Sequence, residues 1–99
     1  MLREMNPEIS VIVPVLNEAD FIESMVNSLL SNGDVSKELL LVDGGSTDQT
    51  KQVIEQLALR YPEIKYIANP EKFVSPGFNR AFSVSTGKYI AFLGAHALY

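Results

Sequence analysis

The sequence contains no cysteine among its 99 residues. Disulfide scaffolds, cysteine-based zinc sites and thiol catalysis are therefore excluded, and the absence fits a cytoplasmic protein. Long apolar stretches are missing as well, since no run approaches the roughly 20 residues that a transmembrane helix needs. Residues 1–8 also lack the apolar stretch of a signal peptide. We therefore predict a cytoplasmic chain that would meet a membrane only through other segments of a longer parent protein.

Basic residues are few in this chain. Lys and Arg number 8 against 12 Asp and Glu, which gives a formal net charge of -4 at pH 7. A nucleic-acid-binding surface needs clustered Lys and Arg side chains, so the composition predicts no nucleic-acid partner. Hydrophobic residues make up 46% of the sequence, an ordinary globular proportion. This length and composition predict a single domain over residues 1–99.

Two hydrophobic periods alternate along the chain. Short apolar runs suit strands that are buried on both faces, and they span residues 9–15, 39–42, 64–67 and 89–93. The segments between them carry apolar residues at the spacing of one helix face. Helix-length connections between buried strands predict a parallel sheet with right-handed crossovers. The predicted fold is therefore α/β, a Rossmann-like, doubly wound and mostly parallel sheet in the order β-α-β-α-β-α-β.

Capping residues predict where the three helices begin. Asn17 is the expected N-cap of the first helix. Ser46 and Gln49 stand at capping-box spacing before the second helix. Ser75 and Pro76 are typical of an N-cap followed by proline at the first helical position, which predicts the start of the third helix.

Polar residues follow the first, second and fourth predicted strands. Ligands of an open parallel sheet bind beyond the carboxyl ends of its strands, so these loops form the candidate site. A carboxylate at Asp43 can accept a hydrogen bond from a uracil imide or a ribose hydroxyl, and the glycines after it let the backbone approach a flat base. His96, the single histidine, can ligate a metal ion such as Mn²⁺ or Zn²⁺.

Each candidate also has a purely structural interpretation. Asp43 is favoured in turns for its Asx geometry, and Asn17, Glu18 and Ser46 suit helix caps or first turns. Asn79 fits a solvated position on the third helix. The chain has no G-x-G-x-x-G, P-loop, G-x-S-x-G or H-E-x-x-H motif, so dinucleotide binding, P-loop chemistry and two familiar hydrolase sites lack support.

Four segments resemble those of the family 2 glycosyltransferases, in the same order and spacing. Residues 10–18, SVIVPVLNE, resemble the opening V-x-V-P-x-x-N-E, and residues 41–50, LVDGGSTDQT, resemble V-D-D-G-S-T-D-x-T. Residues 77–90 resemble the segment A-R-N-x-G…A-x-G-x-Y-I, and residues 92–96 fall where the family carries its D-x-D metal motif. The ending AHALY is similar to the subgroup that builds bacterial exopolysaccharides, the succinoglycan-type transferases.

The resemblance implies a GT-A fold of which this chain is the N-terminal, donor-nucleotide-binding half. It implies an inverting enzyme that transfers a sugar from a nucleotide-sugar, with UDP-sugar favoured and GDP-sugar as the second choice. The acceptor would be a glycan or a lipid-linked molecule in polysaccharide biosynthesis. By position, the implied donor-binding residues are Pro14, Leu16, Asn17, Glu18, Asp43, Ser46 and Asn79.

The resemblance further implies a divalent cation, Mg²⁺ or Mn²⁺. Gly94 and His96 stand where the family's motif has its two Asp residues, so His96 is the one candidate metal ligand in this segment. The alternative hypothesis is a non-catalytic nucleotide-binding or interaction module with a degenerate metal motif. We also expect the chain to lack the catalytic base and the acceptor half and to be inactive alone. Apolar surface left exposed by truncation predicts a homodimer.

Overall fold

The computed structural model describes residues 7–31, 35–69 and 74–92. Strands and helices alternate along the chain as the hydrophobic periods predict. The elements are the strands β1 (Ile9–Val15), β2 (Lys37–Asp43), β3 (Ile64–Ala68) and β4 (Tyr89–Phe92) and the helices α1 (Ala19–Ser31), α2 (Thr50–Arg60) and α3 (Val74–Val84).

The four strands form one parallel sheet in the order β3-β2-β1-β4. The predicted parallel, doubly wound arrangement is thereby confirmed. Val15 lies opposite Asp43, and Asp43 lies opposite Ala68, so the carboxyl ends of three strands reach the same level. The chain builds outward from β1 to β3 and then returns to the other side of β1. The strand order therefore reverses next to β1, which is where sheets of this kind bind their ligands.

Apolar side chains cover both faces of the central strands. Alternation along β2 directs Leu39 and Leu41 to the face under α1 and α2, whereas Leu40 and Val42 face Ala81 of α3. All three leucines are completely buried. The larger apolar cluster lies under α1 and α2, and the smaller one lies under α3.

A buried polar network joins the amino-terminal ends of the strands. The Glu38 carboxylate accepts hydrogen bonds from Ser10 Oγ and from Thr86 N, and it forms an ion pair of 2.9 Å with Lys65 Nζ. Gly87 N donates to Ser10 Oγ at 2.8 Å. Burial by itself raises the pKa of Glu38, but the hydrogen bonds from Ser10, Thr86 and Lys65, with the charge of Lys65, outweigh burial and hold the pKa below its usual value of 4.5.

All three predicted helix starts are wrong, by one to three residues. The carbonyl of Glu18 accepts from the N–H groups of residues 21 and 22, so Glu18, not Asn17, is the N-cap of α1. Gln49 stands before α2 without a side-chain cap bond, and Ser46 lies outside that helix. Ser75 lies inside α3, which already includes Val74. The first two errors share one cause: Asn17 and Ser46 bond across to the neighbouring loop instead of to their own helix.

The far edge of the sheet carries exposed apolar side chains. Tyr89 and Phe92 of β4 are 59% and 49% exposed, and Phe82 of α3 is 57% exposed. The exposed apolar surface expected from the sequence is therefore present, whereas the homodimer stays a prediction. Over the described ranges, no helix combines the length and apolar character that crossing a membrane would require.

Candidate functional site

The loop between β1 and α1 forms one wall of the candidate site. Pro14 is half-buried at the end of β1, the Leu16 side chain is 51% exposed, and Glu18 is buried. Asn17 has a φ of 53°, a left-handed conformation that Asn tolerates better than most residues. The chain turns sharply there, which leaves the Leu16 side chain in solvent while the Asn17 side chain reaches the next loop.

The loops after β1 and β2 hold each other through reciprocal hydrogen bonds. Asn17 Oδ1 accepts from Thr47 N at 2.8 Å and from Asp48 N at 3.2 Å, and Asn17 N donates to Ser46 Oγ at 2.9 Å. A fourth bond, of 2.8 Å, runs from Glu18 N to Thr50 Oγ1. We refer to these two interlocked loops, residues 16–18 and 44–50, as the loop clasp. The clasp exists because β1 and β2 are neighbours in register.

Asp48 and Thr50 complete the clasp at the start of α2. Asp48 Oδ1 accepts from the backbone N–H and from the hydroxyl of Thr50. The hydrogen bond from the Thr50 hydroxyl is the main reason that the pKa of Asp48 lies below 3.8. Asp48 is therefore ionised near neutral pH, and its charge stands at the beginning of a helix, where it is favoured.

Asp43 lies at the centre of the site and is only 3% exposed. Its Oδ1 accepts from Gly45 N at 3.2 Å, Ser46 N at 2.9 Å and Ser46 Oγ at 2.6 Å. Its Oδ2 accepts from Tyr66 OH at 2.8 Å. Gly45 has a φ of 93°, a conformation that favours glycine. The carboxylate thus builds an Asx turn, as the structural interpretation predicts, and its direct contact with a base or ribose stays a prediction.

Tyr66 is a residue of the site that the sequence analysis missed. It pairs with Leu41 across β2 and β3, so its side chain stands on the same sheet face as Asp43, two residues further along β2. Burial, followed by the hydrogen bond with Asp43 and the charges of Asp43 and Glu55, raises the pKa of Tyr66 to about 12. An aromatic residue in a short strand signals packing rather than a site, so only the strand register could reveal this contact.

The remaining predicted residues do not join this group. Asn79 is exposed in the middle of α3, on the sheet face opposite α1 and α2. His96 and Gly94 lie outside the described residues. The structure therefore brings together the backbone or side chains of Asn17, Asp43 and Ser46, with Glu18 beside them. Asn79 lies on the helix that covers the opposite sheet face, and its role in donor binding stays a prediction.

A metal ion does not fit the described part of the site. Within residues 7–31, 35–69 and 74–92, no group of three or more His, Asp or Glu side chains is arranged to hold one. Asp43 already accepts four hydrogen bonds, and Asp48 is held by Thr50. We therefore assign no metal ligand among these residues.

Comparison with known proteins gives the same class from sequence and from structure. Residues 10–99 match the family model described as Glycosyl transferase family 2. The succinoglycan biosynthesis protein ExoA of Rhizobium meliloti is 33% identical over 92 residues, which are 90% of this chain and 28% of that protein.

Two solved structures superimpose on most of the chain. A mannosyltransferase from Pyrobaculum calidifontis, in complex with GDP-Man and Mn²⁺, matches 92% of this chain and 28% of its own with a TM-score of 0.78 and 27% identity. Residues 1–349 of Staphylococcus aureus TarS, in complex with UDP-GlcNAc, match 89% of this chain and 26% of their own with a TM-score of 0.73 and 29% identity. This chain thus spans less than a third of each of these three proteins.

Proposed function

The chain belongs to glycosyl transferase family 2, and from this premise we propose that the loop clasp binds the nucleotide of a nucleotide-sugar donor. The fold is of the GT-A type. The observation that carries the proposal is the clasp itself, which presents an ordered edge beside the switch point of the sheet. Two structures of the same fold were solved with GDP-Man and with UDP-GlcNAc, which supports a nucleotide-sugar ligand here.

The chemistry of the clasp suits a nucleoside. Leu16 offers an exposed apolar side chain, and Gly44 and Gly45 offer backbone without side chains, so a flat base can approach closely. Asn17 and Ser46 hold this surface in place because each forms a hydrogen bond with the other's loop. A preformed site of this kind binds with a smaller ordering cost than a flexible loop.

For the whole protein we propose an inverting transferase that acts in polysaccharide biosynthesis, with UDP-sugar favoured and GDP-sugar second. The relationship to a succinoglycan biosynthesis protein supports the polysaccharide. We further propose a glycan or lipid-linked acceptor and a location in the cytoplasm. Since the chain spans only 28% of that relative, we propose that the catalytic base and the acceptor site lie in other segments and that these 99 residues alone are inactive.

Titration calorimetry with UDP and with GDP, in the presence and absence of Mn²⁺, tests the proposal. We expect UDP to bind with the higher affinity. Ser46→Ala removes the hydroxyl that bonds both Asp43 and Asn17, and it should weaken binding at least about fivefold, since each of the two hydrogen bonds contributes about 0.5–1.5 kcal/mol. Ser83→Ala is the matched control, because that hydroxyl is exposed and donates only to the carbonyl of Arg80.

The outcomes separate the candidate functions. Binding that requires Mn²⁺ favours the transferase with an intact donor site. Binding of equal strength without the metal favours the non-catalytic nucleotide-binding module. Failure of both nucleotides to bind, or an equal loss in Ser46→Ala and Ser83→Ala, contradicts the assignment of the clasp as the nucleotide site.

A further inference from the structure

A chain of hydrogen bonds runs from β3 through the loop after β2 to the loop after β1. Tyr66 OH donates to Asp43 Oδ2, Ser46 Oγ donates to Asp43 Oδ1, and Asn17 N donates to Ser46 Oγ. The three distances are 2.8, 2.6 and 2.9 Å. This series of hydrogen bonds therefore links the Tyr66 side chain, which packs on the apolar cluster, to the two loops that form the clasp.

Tyr66 is built to hold the Asp43 carboxylate in one orientation. Its ring packs against the apolar cluster under α1 and α2, and Lys51 Nζ lies 5.7 Å from the ring centroid. The Tyr66 hydroxyl donates to Oδ2 of Asp43, whereas the three donors of the loop all bond Oδ1 of Asp43. With Oδ2 fixed, the carboxyl plane cannot rotate, and Oδ1 stays aimed at Gly45 and Ser46.

We propose that Tyr66 is a positioning residue for nucleotide binding, which fixes Asp43 so that Asp43 holds the loop clasp in its binding shape. This inference rests on the proposed function. It gives Asp43 the task of shaping the loop, because three of the four hydrogen bonds that this buried carboxylate accepts come from Gly45 and Ser46. Tyr66 itself does not touch the nucleotide.

The phenol keeps its donor proton under all physiological conditions. Burial and the adjacent Asp43 carboxylate raise the pKa of Tyr66 to about 12, with a smaller contribution from Glu55 on α2. The hydrogen bond to Asp43 therefore persists across the pH range in which a nucleotide-binding protein works.

Tyr66→Phe removes the hydroxyl and retains the ring, and Tyr61→Phe is its matched control. Both tyrosines are half-buried and pack on the same apolar cluster, but Arg60 and not Asp43 contacts the Tyr61 hydroxyl. We measure UDP and GDP affinity by calorimetry at a temperature where all variants are folded. Amide hydrogen exchange at Gly45 and Ser46 is measured by NMR in the same samples, with the amides of residues 39–41 as the reference.

We expect Tyr66→Phe to weaken nucleotide binding at least about tenfold, the effect of one hydrogen bond to a charged group. Exchange at Gly45 and Ser46 should accelerate, while exchange in β2 stays unchanged. Tyr61→Phe should alter neither. In the unaltered chain, the Tyr66 hydroxyl should remain protonated well above pH 10. If it titrates at the ordinary pKa of tyrosine instead, the hydrogen bond to Asp43 is absent. This measurement does not depend on whether the variant folds.

The results distinguish this inference from the proposed function. Unchanged affinity and unchanged exchange in Tyr66→Phe, with normal binding by the unaltered chain, overturn the role of Tyr66 alone. No binding of either nucleotide by the unaltered chain overturns the proposed function and, with it, the ligand role of Tyr66. Equal losses in Tyr66→Phe and Tyr61→Phe also overturn the inference, since they indicate a general packing effect.

Discussion

We expect that replacing Gly87 with alanine destabilises the fold, because the added methyl group collides with the backbone of β1. A Cβ atom at Gly87 would lie 2.5 Å from Ser10 N, 2.6 Å from Ser10 Oγ and 2.8 Å from the carbonyl carbon of Ile9. Two of these three atoms belong to the backbone of an internal strand, so no side-chain rotation removes the clash. Residue 87 must move away, and its 2.8 Å hydrogen bond to Ser10 Oγ is then lost.

The cost follows from two terms. Overpacking of a closely fitted site costs about 1–3 kcal/mol, and the lost hydrogen bond adds about 0.5–1.5 kcal/mol. Their sum, about 1.5–4.5 kcal/mol, is a large fraction of the roughly 5–15 kcal/mol that stabilises a typical domain. Each kcal/mol lowers Tm by about 4–8 °C in a domain of this size. We therefore expect Gly87→Ala to lower Tm by about 6–36 °C.

Thermal and urea denaturation, followed by circular dichroism, measure the effect. Lys88→Ala, at the adjacent exposed position, is the control and should change Tm little. The double variant Gly87→Ala with Ser10→Ala removes the hydroxyl contact and leaves the clash with Ser10 N, so it should not recover the lost stability. A Tm within about 2 °C of the unaltered chain, or full recovery in the double variant, would show that the Cβ atom does not clash with the backbone of β1.

Three further changes test other parts of the structure. The free energy of unfolding should decline as pH falls below 4.5, since the folded-state pKa of Glu38 is lowered and the unfolded chain binds that proton more readily. Glu38→Gln should reduce this pH dependence, measured by urea denaturation, and lower the free energy of unfolding by about 1.5–3 kcal/mol at pH 7. Asn17→Gly keeps the left-handed turn but loses the acceptor for Thr47 N and Asp48 N, so it should destabilise by about 1–2 kcal/mol, and Asn17→Ala by about 1 kcal/mol more. Leu41→Ala, at a completely buried position, should cost about 2–5 kcal/mol by thermal denaturation without changing the nucleotide preference.

Local patterns were sufficient for the order of the elements and for the approximate position of each strand. The β-branched run at residues 9–15 predicts β1 with its observed ends, and the predicted strand at residues 39–42 lies within β2. A continuous run of apolar residues can be recognised from neighbouring positions in the sequence. Such a run predicts a strand whose two faces are both buried. The parallel sheet also follows, because the helix-length connections leave no room for hairpins.

The helix caps show where local reasoning fails. Asn17 and Ser46 are typical N-cap residues, yet each accepts hydrogen bonds from the other loop. The bond from Thr47 N to Asn17 Oδ1 joins residues 30 positions apart in the chain. A side chain chooses among donors in space, and no sequence spacing reports which donors the sheet register brings within reach.

Hydrophobic patterning accounts for the order of strands and helices, for the buried faces and for the edge of the sheet at which the polar loops meet. Three-dimensional packing was needed to bring Tyr66 to Asp43, to bond Asn17 to the loop after β2, and to put Asn79 on the opposite face. These two groups of features differ in the range of the forces that produce them. Hydrophobic periodicity is set by adjacent residues, whereas a hydrogen bond requires two atoms within about 3 Å of each other, and strand register alone brings distant residues that close.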